Sequence, residues 1–69
     1  MRFVIYTDDH EPAHVHVYGD GEAKFQLAGP DSPRLLLVIG MKDGDVRRAR
    51  MIVREHREAM LREWNDIHG

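Results

Sequence analysis

The chain contains no cysteine, so no disulfide can close a loop or staple its fold. No stretch reaches the ~20 apolar residues that a membrane-spanning helix needs. The opening Met1-Arg2-Phe3 lacks the charged, apolar and small-residue succession of a secretory leader. A cytoplasmic protein, bacterial in style, is the expectation. Neither sign of charge dominates, since 10 basic and 12 acidic residues leave a net charge of −2. That balance argues against a general nucleic-acid coat or a membrane-surface binder. There is no internal repeat, linker or low-complexity segment, and no helix-turn-helix pattern. A complete catalytic signature is missing too.

What is present is one small domain, residues 1–69, with an apolar fraction of 42% that is ordinary for a globular chain. A chain this short buries only roughly 60% of its unfolded surface. Such a core rarely supplies more than about 3–5 kcal/mol. With disulfides excluded, a metal, an oligomer or an unusually good core must add the rest.

Arg2 to Thr7 is rich in β-branched and aromatic residues and reads as a strand. Asp8 to Ala13 is a loop, in which Pro12 holds Glu11 extended. His14 to Tyr18 reads as a second strand, and Gly19-Asp20-Gly21 as a hairpin turn using positive φ. Residues 22–28 alternate, with Ala23, Phe25 and Leu27 on one face and Glu22, Lys24 and Gln26 on the other. Pro30 and Pro33 interrupt pairing, and Leu35 to Ile39 is a continuous apolar run that suits a strand buried on both faces.

The period changes from 45 to 67. Val46, Ala49, Val53, His56, Met60, Trp64 and Ile67 recur at three and four, which gathers them on one helical face. Asp43 is placed to cap this helix and Asp45 to suit its dipole. One uninterrupted helix would be about 35 Å long at ~1.5 Å per residue. The expected fold is α+β: a small antiparallel sheet of three to four strands, then one long C-terminal helix packed on one face.

Three of the five histidines lie in Asp8-Asp9-His10-Glu11-Pro12-Ala13-His14-Val15-His16-Val17. His14 and His16, two apart on a strand, point to the same side roughly 6.5–7 Å apart. Both imidazoles can reach one ion, and His10 can swing in from the loop. Neutral imidazole suits zinc, copper, nickel or iron, so the cofactor expected is a divalent transition metal such as zinc. Asp8, Asp9 and Glu11 could be further ligands or orient the histidines. Without a metal, the same histidines could exchange protons in catalysis. Solvent-facing histidines beside an edge strand are the plain alternative.

His56 falls inside the apolar stripe, where its ring needs a hydrogen-bond partner. It is either a satisfied structural histidine or a weaker fourth member of the metal set. Strand alternation sets Val15 and Val17 toward the helix, and His14 and His16 away from His56. A second chain supplying the other half, as a homodimer covering the open sheet face, would reconcile the two. Arg47, Arg50, Arg54 and Arg57 form a stripe beside the apolar face, either a solvated surface or a binding surface for phosphates or an acidic partner. Trp64 reads as a core anchor.

The stretch Asp9 to Val17, together with Gly21-Glu22-Ala23-Lys24-Phe25, Val53-Arg54-Glu55-His56-Arg57-Glu58 and Glu63-Trp64-Asn65, resembles the small bacterial domain-of-unknown-function family 4160 over nearly the whole chain. That family usually has two prolines where this chain has Pro12-Ala13, and often a longer N-terminus. The resemblance implies a small intracellular protein, encoded beside a small partner protein in an arrangement like a toxin–antitoxin operon. It implies no reaction, and it makes His10, His14, His16 and His56 the matching positions of any site. Two functions are therefore expected in competition. The leading one is a protein-interaction module of a toxin–antitoxin-like pair, acting as a homodimer. The other is a histidine- or metal-dependent nuclease working through His10, His14 and His16.

Overall fold

The computed structural model describes residues 1–69 as four strands followed by two helices. The strands are β1 (Arg2–Val4), β2 (His14–Tyr18), β3 (Glu22–Gln26) and β4 (Arg34–Ile39). They form one sheet in the order β1-β2-β3-β4, and every neighbour pair is antiparallel. The first and third strands are shorter than the composition suggests, ending at Val4 and Gln26 rather than at 7 and 28. Past Gln26 the pairing with β2 persists in one bond, from Leu27 N–H to the Ala13 carbonyl at 2.8 Å.

Strand alternation divides the sheet into two chemically different faces. Val15, Val17, Ala23, Phe25 and Leu27 form the core with Ala49, Val53 and Trp64, all at most 2% exposed. The opposite face carries His14, His16 and Tyr18 from β2, with Glu22, Lys24 and Gln26 in register from β3. The split follows from the period-two pattern, since a one-residue slip would drive the valines into solvent.

The C-terminal third is not one helix. It consists of α1 (Asp43–Glu55) and α2 (Arg57–His68), broken at His56, where φ is −108° and ψ 14°. Hydrogen bonding bridges the break: His56 N–H reaches Ile52 O at 3.1 Å and Met60 N–H reaches His56 O at 2.9 Å. A three-and-four periodicity records which residues want burial but not a change of axis, so the sequence pattern runs through the break. His56 is exposed at this junction, not inside an apolar stripe. Only Ala49, Val53 and Trp64 of that stripe are buried, and Ile67 is exposed. Asp43 is a first-turn residue rather than a cap. The cap position is Lys42, which makes no side-chain cap bond, and Asp43 and Asp45 both serve the helix dipole.

Two further expectations change. Leu35–Ile39 is not buried on both faces within the chain. It belongs to edge strand β4, whose Leu36, Leu37, Val38 and Ile39 are 37–56% exposed. Gly19 and Gly21 do not have positive φ; Gly29, Gly40 and Gly69 do. Gly21 is required for a different reason. A Cβ there would collide with the backbone of Ile39 and Gly40. Gly21→Ala is expected to cost about 1–3 kcal/mol by overpacking, read as a lower urea midpoint with unchanged m-value. No helix is long and apolar enough to cross a membrane.

Candidate metal centre

Asp9 is delivered to the polar sheet face by a short turn after β1. Tyr6 N–H donates to Asp9 Oδ2 at 3.3 Å, and Asp9 N–H donates to the Tyr6 carbonyl at 3.4 Å. The carboxylate therefore hangs over β2. Its Oδ2 stands 3.2 Å from His14 Nε2 and 3.3 Å from His16 Nε2. The two imidazoles are edge-to-face, with ring centroids 5.0 Å apart.

The His14 ring is held from behind. His14 Nδ1 lies 2.8 Å from the Pro12 carbonyl, an acceptor only, so Nδ1 carries the hydrogen. A neutral His14 then turns the lone pair of Nε2 toward a carboxylate oxygen. Two facing lone pairs repel unless a proton or a cation lies between them. His16 Nδ1 faces Glu22 Oε2 at 3.5 Å. Both His16 nitrogens are shut off from solvent, yet neither makes a hydrogen bond. Buried polar atoms are normally paired, so this ring is the odd member of the fold.

A transition-metal ion fits this arrangement. Two ligand atoms about 2.0–2.1 Å from one zinc, at a tetrahedral angle, are about 3.3 Å apart. Both Asp9–histidine separations have that length. Asp9, His14 and His16 present their ligand atoms within 4.8 Å of one another. The Pro12 carbonyl behind His14 is the kind of outer hydrogen-bond partner that metal-bound histidines usually have, and the Glu22 carboxylate stands 3.5 Å behind His16.

The cluster forms one wall of a cavity of about 320 Å³ that is also lined by Asp8, His10, Glu11, Pro12, Lys24 and Leu36. His10, a candidate ligand from the sequence, is exposed on the loop and outside the three-atom group, which takes Asp9 as its third member. The reason is the turn: its hydrogen bonds fix Asp9 inward, and the next side chain faces the opening. His56 takes no part in the group. The helical residue that does approach is Trp64, whose ring centroid is 5.2 Å from that of His14 and whose Nε1–H donates to Glu11 Oε1 at 3.4 Å.

The arginine stripe is likewise divided. Arg57 Nε–H donates to the Leu27 carbonyl at 2.6 Å and Arg50 lies over the Phe25 ring at 5.8 Å. Arg47 and Arg54 alone face solvent.

Residues 1–65 match the family described as a domain of unknown function, DUF4160. The chain belongs to the DUF4160 family. No curated protein and no solved structure matches it. The DUF4160 match spans β1 to most of α2, and so includes the whole Asp9–His14–His16 group and Trp64.

Several residues around this DUF4160 site escape sequence reasoning. Tyr6 meets the edge of His16 at 4.9 Å, and its hydroxyl shares a 2.8 Å hydrogen bond with that of Tyr18. This bond, with partial burial, pushes the Tyr18 phenol up to about 12. His68 stacks on Trp64 at 3.8 Å and uses Nδ1 on the Trp64 carbonyl at 3.0 Å. The alternation His14, His16, Tyr18 was a usable signal for Tyr18. Nothing in the spacing signalled Tyr6 or His68.

Proposed function

We propose that this domain is a divalent transition-metal protein, with zinc as the first candidate, and that the ion serves a hydrolytic centre. The carrying observation is the convergence of His14 Nε2 and His16 Nε2 on one oxygen of Asp9, at 3.2 and 3.3 Å. Two imidazoles and one carboxylate leave coordination positions open, as in hydrolytic zinc sites. A metal so bound would lower the pKa of a coordinated water to about 7 and make it a nucleophile at neutral pH. The chain's own residues support that chemistry. The Pro12 carbonyl and Glu22 orient the two rings. His10, exposed at the mouth of the cavity, can relay protons between the cavity and solvent.

Calorimetric titration of metal-free protein with zinc tests this reading. One ion per chain is expected, with binding lost in His16→Ala and strongly weakened in Asp9→Asn while circular dichroism shows both variants folded. A folded wild type that takes up no zinc would overturn it.

A second reading has its own support in β4. This edge strand shows four consecutive exposed apolar residues and no proline or inward charge to block pairing. An antiparallel β4–β4 contact between two copies is self-complementary about a two-fold axis. On this reading the domain is a homodimeric interaction module, as in a toxin–antitoxin-like pair. Light scattering would give twice the chain mass, and Leu37→Lys would return it to one chain. A wild-type monomer at high micromolar concentration would exclude the contact.

A further inference from the structure

The β2–β3 register sets Lys24 directly across from His16, on the same face of the sheet. Lys24 is half-buried and lines the same cavity as Asp9, His14 and His16. Three carboxylates, Asp8, Asp9 and Glu11, also line it. Lys24 nevertheless takes part in none of the ion pairs of the fold. A half-buried lysine whose ammonium has no carboxylate partner, beside a metal triad with open positions, is arranged for an oxyanion. One oxygen can meet the metal and a second can meet the ammonium, a role that lysine fills as a point charge.

The remaining lining narrows the class of anion. Asp8 and Glu11 would repel a second negative charge, which favours a monoanion over a dianion. Leu36 and the Pro12 ring are the apolar side chains in the wall and suit an ester substituent. The cavity of about 320 Å³ is at the small end for ligand sites, enough for one linkage and its immediate neighbours. We propose that Lys24, together with the metal held by Asp9, His14 and His16, binds the singly charged phosphodiester group of a substrate. This rests on the metal-centre reading above.

Cobalt(II)-loaded protein, titrated with diphenyl phosphate and followed by its visible absorption, tests the proposal. A saturable spectral change is expected for wild type. Lys24→Ala should raise the dissociation constant for diphenyl phosphate about tenfold or more with cobalt affinity unchanged. Lys24→Arg should recover most of the loss, and phenyl phosphate, a dianion, should bind more weakly than the diester. Equal diester affinity in wild type and Lys24→Ala would overturn the role of Lys24. Tighter binding of phenyl phosphate would overturn the choice of a diester. The initial cobalt titration separates these outcomes from failure of the metal centre, because a chain that takes up no cobalt loses both readings before any phosphate is added.

Discussion

Zinc at about a hundred times its dissociation constant is expected to raise the melting temperature of this domain by roughly 10–20 °C. Binding to the folded state alone stabilises it by about 2.7 kcal/mol at that excess. In a domain of this length each kcal/mol moves the midpoint by roughly 4–8 °C. The effect is large because the fold is small: 69 residues with no disulfide give any added tie unusual leverage. Asp9→Asn should abolish most of the shift. The amide offers a neutral oxygen in place of the charged one that faces both Nε2 atoms. The variant's own metal-free midpoint should change little, because the amide keeps an oxygen that can accept from Tyr6 N–H. Differential scanning calorimetry with zinc and with chelator reads both effects. A wild-type midpoint that zinc does not move would mean that Asp9 is paired with protonated imidazoles instead.

The second large effect is expected from Trp64→Ala. Removing a buried indole costs about 3–5 kcal/mol, while a domain of this size has roughly 3–10 kcal/mol in total. Trp64 is 2% exposed and is the one buried residue of α2. Its indole also holds Glu11, packs on His14 and carries the stacked His68. Without it α2 keeps Arg57 on the Leu27 carbonyl and the partly buried Met60 and Leu61 against the core. Urea unfolding by circular dichroism should show a loss of at least 3 kcal/mol, with part of the helical signal gone before denaturant is added. Trp64→Phe, which keeps a ring but not the N–H, should recover more than half. A loss below 1 kcal/mol would mean that α2 is dispensable to the fold.

These expectations connect the helix to the site through one side chain. Glu11, Pro12 and His14 form the corner where the loop enters β2, and Trp64 covers it. The interaction reading concerns a different part of the molecule, the β4 edge. The two meet at Leu36, an exposed residue of β4 that is part of the cavity wall, and at Leu37, the register partner of Lys24, but no ligand atom of the Asp9–His14–His16 group comes from β4. Metal binding and dimerisation are therefore separable by mutation, Asp9→Asn for one and Leu37→Lys for the other.

What the residues by themselves determined is the set of local periods. Alternation in 14–18 and 22–26 dictated that His14, His16 and Lys24 share the face opposite Val15, Val17 and Phe25, because successive strand residues must point to opposite sides. A three-and-four repeat made the last third helical for an equally local reason. Tertiary structure alone decided what those local patterns leave open. A repeat does not mark where a helix is interrupted, so neither the break at His56 nor the exposure of that histidine could be read from it. Spacing cannot rank Asp9 against His10 either. The choice fell to a turn in which Tyr6 N–H and the Asp9 carboxylate hold each other. The burial of Leu36 to Ile39 was undecidable for a similar reason: an apolar run states that a strand favours cover, and only the strand order shows that within one chain β4 has a neighbour on one side alone.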